Sequence, residues 1–229
     1  MNRLMDSSLG RTVAALLVVL AAYLGPYKWL ADGPATARGG DGETVAISDA
    51  ERAAGPAFAA SVPQADRGWI LASLKRPRPE ARRLLEEVDG LVVIQTHSNM
   101  GDALGYAQYV GHRFVVSFDI EAMNADERID PGVVVLHEMG HVIDRALVGN
   151  ELDARLEAAN PRRGTCVTTA DVSGPCAARE ERFADTFARW ALRGAVSFGA
   201  SGYNVDIPAS LEDWGVPLLR LAAELDIDA

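Results

Sequence analysis

The stretch DPGVVVLHEMGHVIDRAL, residues 130–147, constrains the fold of this chain more than any other. Asp130 supplies a side-chain oxygen for the orphan N–H groups of a helix start, and Pro131 has the fixed φ that suits a first turn. The pattern predicts a helix from Pro131 that ends at Gly149 and Asn150. Leu136, Met139, Ile143, Ala146 and Leu147 cover most of its faces, so it belongs in a core. A polar stripe on a buried helix costs free energy unless something satisfies it. His137, His141 and Asp144 make such a stripe, with Glu138 at its border.

A metal ion accounts for the stripe. Histidines four apart stand one helical turn apart, so two imidazoles can reach one ion. Neutral imidazole is a good zinc ligand, and a hydrolytic zinc site takes three protein ligands and keeps a position for water. Glu138 lies off the ligand face but next to the ion, where it can take a proton from that water. This is the H-E-x-x-H arrangement, and it predicts one zinc ion, held by His137 and His141, with Glu138 as general base.

The third ligand lies elsewhere. Asp144 and Leu147 stand where the longer H-E-x-x-H-x-x-G-x-x-H pattern has its glycine and final histidine. His97 and His112, the other two histidines, read as surface or loop residues. Downstream, AAREERFADTFARWAL has the period of a helix with Phe183, Phe187, Trp190 and Ala191 on its apolar stripe. Glu180, Glu181 and Asp185 are its candidate ligands, and helical geometry places Glu181 ahead of Glu180 by a modest margin. Acidic residues are also common in a helix's first turn, where the dipole favours them.

HEMGHVID followed by EERFADTF resembles the glutamate zincins, and among them the peptidase domain of anthrax lethal factor and its bacterial relatives. The resemblance covers two short motifs and the order of a strand before the histidine helix. It implies His137, His141 and Glu181 as zinc ligands and Glu138 as the base. It also makes Asp144 and Asp185 carboxylates that orient the ligands through hydrogen bonds. Asp185 stands where the second motif usually has glutamate. Members of that group carry a tyrosine shortly before the ligand glutamate, and here TTADVSGPCAA has none. Tyr203, in the loop after the second helix, is the candidate replacement as transition-state stabiliser.

Around these motifs the chain reads as α+β. ADRGWILASL and PEARRLLEEV are helical, LVVIQT and RFVVSFDI have strand composition, and ELDARLEAA and ASLEDWGVPLLRLAAEL hold further helices. The polar, glycine-containing run HSNMGDALGYAQYVG between the strands reads as a loop or a loosely paired edge. RFVVSFDI is either an edge on which an extended substrate pairs or an interior strand. The resemblance implies a zincin-like fold, a small mixed or antiparallel sheet packed on the H-E-x-x-H helix.

The N-terminal segment predicts export, with the basic end inside and everything after the apolar run outside the cytoplasm. Arg3 and Arg11 precede an uncharged apolar run from Val13 to Leu24, which suits a signal peptide or a retained membrane anchor within residues 1–30. Residues 31–44 form a glycine-rich tether, Ser48 and Glu51 have capping-box spacing, and residues 45–229 are the expected catalytic domain. Cys166 and Cys176 both fall in the exported part, and a disulfide between them stabilises by at most about 2–3 kcal/mol. The net charge of −10 argues against nucleic acid as a partner. The expected activity is hydrolysis of peptide bonds in a peptide or protein outside the cytoplasm, with membrane contact only through an uncleaved N-terminus. The alternatives are a zincin-like module that binds without cutting, and a zinc amidase acting on cell-wall peptide.

Overall fold

A computed structural model gives the fold, and it describes residues 55–161, 174 and 176–227. All the described elements belong to the unit Val45–Ala229. The N-terminal segment 1–30, the tether 31–44, Ser48, Glu51 and Cys166 lie outside the described residues.

The chain is α+β. In order, the elements are β1 (Ala57–Phe58), α1 (Gln64–Lys75), α2 (Pro79–Val88), β2 (Val92–His97), β3 (Gly105–Val110) and β4 (Arg113–Asp119). Then follow α3 (Ile120–Ala125), α4 (Pro131–Leu147), α5 (Asn150–Ala159), α6 (Arg179–Ala191) and α7 (Leu211–Ile227). The sheet is mixed, with strand order β1-β2-β4-β3. β1 and β4 run parallel to β2, and β3 runs antiparallel to β4. A sheet of this kind needs alternating burial, and β2 and β4 provide it. Val92, Ile94, Phe114, Val116 and Phe118 share one face by register and pack with helix residues in one core.

Two alternatives left open by the sequence are decided here. RFVVSFDI is an interior strand, because β4 lies between β2 and β3. One sheet edge is the two-residue β1, and the other is β3, within the polar run HSNMGDALGYAQYVG. It forms through a two-residue turn, Gly111-His112, whose glycine at φ 64° takes a conformation that a side chain resists. On β3, Gly105, Ala107 and Tyr109 face the helices, and Tyr109 lies 5.0 Å from Phe114 between ring centroids. Tyr106, Gln108 and Val110 point to the other side.

α4 is capped as its sequence predicts. The Asp130 carboxylate accepts from Gly132 N–H at 2.8 Å, and Pro131 occupies the first turn. The helix stops at Leu147, two residues short of expectation, because Val148 turns extended. Gly149 is also extended and caps the start of α5 instead of closing α4. From Gly132 to Gly140 every residue of α4 is buried.

α4 and α6 approach backbone to backbone. A Cβ on Gly140 would meet Ala184 Cα at 2.9 Å, so only glycine permits this separation. α6 is then locked to α7 by aromatic packing. Trp190 and Trp214 meet at 6.4 Å, Phe183 and Trp214 at 5.7 Å. Gly215 leaves room for the Trp190 indole, which a Cβ there would strike. Phe183, Phe187, Trp190 and Ala191 are buried along the stripe read from sequence. Among the described residues, no helix is long and apolar enough to cross a membrane.

Candidate metal centre

His137 and His141 project from α4 one turn apart, and their rings meet edge to face at 5.0 Å between centroids. Glu181 comes from the first turn of α6. Its Oε2 lies 3.2 Å from His137 Nε2 and 3.6 Å from His141 Nε2. Among the described residues these three side chains form the one group able to hold a metal ion. A tetrahedral sphere with bonds of about 2.0–2.2 Å separates its ligand atoms by about 3.3–3.6 Å. The two nitrogen–oxygen distances therefore fit the spacing that a metal ion requires.

The helix approach explains why Glu181 reaches the histidines. Gly140 lies between them in the motif, and Ala184 lies one turn after Glu181 on the facing helix. Where those small residues touch, the next side chains along the two helices converge. Glu180 and Asp185 are not brought to the imidazoles. His97 and His112 are exposed, at the end of β2 and in the hairpin turn.

The carboxyl groups at the cluster are shifted in opposite directions. Burial works to raise the Glu181 carboxyl, but the neighbouring His141 and His137 outweigh it and hold the group well below the usual carboxylate range. Glu138 is 1 % exposed. Burial pushes its pKa up to about 8; His141 opposes this shift and the Glu181 charge adds to it. Gly105, the first residue of β3, lies against that carboxylate. A Cβ there would stand 2.8 Å from Glu138 Cγ and 2.9 Å from Oε1. The edge strand thus begins directly beside the expected base.

The two expected orienting carboxylates make other contacts. Asp144 is gripped by Arg179 through two hydrogen bonds of 2.8 and 2.7 Å, and Arg179 also pairs with Asp153 of α5 at 2.7 Å. Burial raises the Asp144 pKa to about 6 despite that arginine. Asp185 accepts from Arg189 at 2.8 Å and from the Ser201 hydroxyl at 2.5 Å. Neither bonds directly to an imidazole. Asp144 instead ties α4 to α6, and Asp185 ties α6 to the loop beyond it. Tyr203, in that loop, lies face to face with His137, with centroids 4.2 Å apart and planes 6° apart.

Sequence reading missed Arg179, Ser201, Gly105 and the spacing role of Gly140. An arginine at a helix start that faces an aspartate stripe is a detectable cue for the first. The others depend on which elements meet. Cys176 is held in a disulfide, and Cys166, its expected partner, lies outside the described residues.

Comparison of the chain with protein-family models, with curated proteins and with solved structures gave no match.

Proposed function

We propose that this chain is a zinc-dependent peptidase of the glutamate-zincin type. The observation that carries the proposal is the convergence of His137 Nε2, His141 Nε2 and Glu181 Oε2 at metal-ligand spacing, with the Glu138 carboxylate buried next to them. Two nitrogen donors and one carboxylate suit zinc better than the oxygen-seeking calcium or magnesium. When bound, zinc polarises a scissile carbonyl and lowers the pKa of water.

The chain's own groups supply the rest. Glu138 takes a proton from the attacking water and passes it to the departing amine. Two imidazoles and a single carboxylate as ligands would leave a divalent ion net positive, which suits a developing oxyanion. β3 offers a free edge for an extended substrate, which would pair by main-chain hydrogen bonds close to Glu138 because Gly105 abuts that residue. The N-terminal basic and apolar pattern supports action outside the cytoplasm.

The test joins metal content with turnover. Wild-type protein should hold one zinc per chain and cleave a peptide library. Glu181→Gln should lose most of its zinc, whereas Glu180→Gln should keep it. Glu138→Gln should keep zinc and lose hydrolysis by about 10²-fold or more. Zinc-loaded wild type that cleaves neither peptides nor muropeptides would leave a binding module, and cleavage confined to muropeptides would make the chain a cell-wall amidase.

A further inference from the structure

We infer that Tyr203 is a positioning residue of the metal centre, holding the His137 imidazole in its ligating orientation by ring stacking. This inference rests on the zinc site proposed above and goes beyond it by naming what fixes the first ligand. A ligating imidazole ordinarily donates its second ring nitrogen to a carboxylate or a carbonyl, which sets both tautomer and ring rotation. Among the described residues His137 makes no such bond, and its buried Nδ1 has no hydrogen-bond partner there. The carboxylates expected to serve are engaged elsewhere, Asp144 with Arg179 and Asp185 with Arg189 and Ser201.

Tyr203 provides a different restraint. With the rings 4.2 Å apart and 6° from parallel, rotating the imidazole out of its plane would drive ring atoms into the tyrosine. A loop residue is a useful clamp only if the loop itself is fixed, and this one is tethered at the three residues just before the ring. Asp130, the residue that caps α4, donates its N–H to Ala200 C=O at 2.9 Å. Ser201 donates to Asp185, one turn after Glu181 on α6. Gly202, at φ 89°, packs so closely on Leu104 that a Cβ would lie 2.7 Å from it. The first two tethers begin on the helices that carry the ligands, so the position of the ring is coupled to the geometry it supports. The same arrangement gives Asp185 its place in the second motif: it holds the loop that holds the ring.

The experiment measures zinc affinity by chelator competition, and the visible absorption of the cobalt-substituted protein, in the full chain. Wild type is compared with Tyr203→Phe, Tyr203→Leu and Tyr203→Ala, with the thermal unfolding of each metal-free protein as the check on folding. Tyr203→Phe should bind as wild type does and keep its cobalt spectrum. Tyr203→Ala should lose about tenfold or more in affinity, with an altered spectrum. Tyr203→Leu fills the space without an aromatic face and should follow the alanine variant. The inference is overturned if Tyr203→Ala binds as tightly as wild type. It is also overturned if Tyr203→Phe falls as far as Tyr203→Ala, which would assign the effect to the hydroxyl, or if Tyr203→Leu matches Tyr203→Phe, which would reduce it to bulk. Wild type that binds neither metal overturns the site as well as the clamp, a result distinct from wild type that binds and ignores Tyr203.

Discussion

Among single residues, the glycines beside the cluster separate binding from chemistry. Gly105 has no conformational reason to be glycine, because it sits in a strand with no positive φ. Its reason is steric: the space of a Cβ is filled by the Glu138 side chain. Gly105→Ala must therefore push that carboxylate aside while leaving the ligands in place. Peptide hydrolysis should drop by about tenfold or more, since displacement of a catalytic group by even an ångström is costly. Zinc stoichiometry should not change. Gly68, inside α1 with nothing near its missing Cβ, is the comparison. Alanine there should stabilise by about 0.5–1 kcal/mol and leave turnover unaltered. Equal losses of zinc and activity in Gly105→Ala would show that the strand supports the ligands, not the base.

At the scale of elements, the contact between α4 and α6 decides whether a metal site exists at all. The Gly140 position faces Ala184 backbone, which cannot rotate away as a flexible side chain could. Gly140→Ala should separate the helices, cost about 1–3 kcal/mol through overpacking, and draw Glu181 away from the histidines. Denaturant unfolding and zinc affinity should thus fall together, whereas Gly105→Ala leaves zinc affinity in place. The same contact marks the limit of what the sequence alone discloses. The α4 start is local chemistry, Asp130 and then Pro131, and it can be read directly. The histidine pair on α4 is also local, since helix period alone aligns His137 with His141. Glu181 is not local. Its rank over Glu180 depends on a helix crossing that a single glycine permits, so periodicity gives only a slight preference. β3 stayed open between loop and edge for another reason. Gly105 and Gln108 interrupt the apolar run of the kind that identifies β2 and β4. β4 could not be placed in the sheet from its residues because its polar members are satisfied in the interior. Ser117 bonds to Gln95 across β2, and Asp119 accepts from Met100 and Ala122 N–H groups.

For the molecule as a whole, the buried acids fix how metal-free stability responds to pH. Asp89 is raised to about 7 by burial with help from Glu86, Asp144 to about 6, and Glu138 to about 8. Each of these groups holds its proton more tightly folded than unfolded. Its contribution is complete below the ordinary carboxylate range and is lost as pH climbs through the raised value. Glu181, Glu80 and Asp119 are shifted the other way. They are ionised in both states above about pH 5.5, so they add no slope beyond it. Between pH 5.5 and pH 8 these carboxyl groups can only make metal-free protein less stable as pH rises. Glu138→Gln and Asp89→Asn should each flatten that decline, measured by thermal unfolding in chelator across the window. Zinc should act in the opposite direction. Bound only to the folded cluster, as proposed, it should add about 4 kcal/mol at about a thousandfold excess over Kd. A positive ion beside Glu138 also favours the ionised carboxylate and removes part of the proton uptake. Zinc-loaded protein should therefore gain most over metal-free protein at the alkaline end of the range. A zinc-dependent gain that is flat from pH 5.5 to pH 8, or larger at the acid end, would mean that the ion does not sit where Glu138 can sense it.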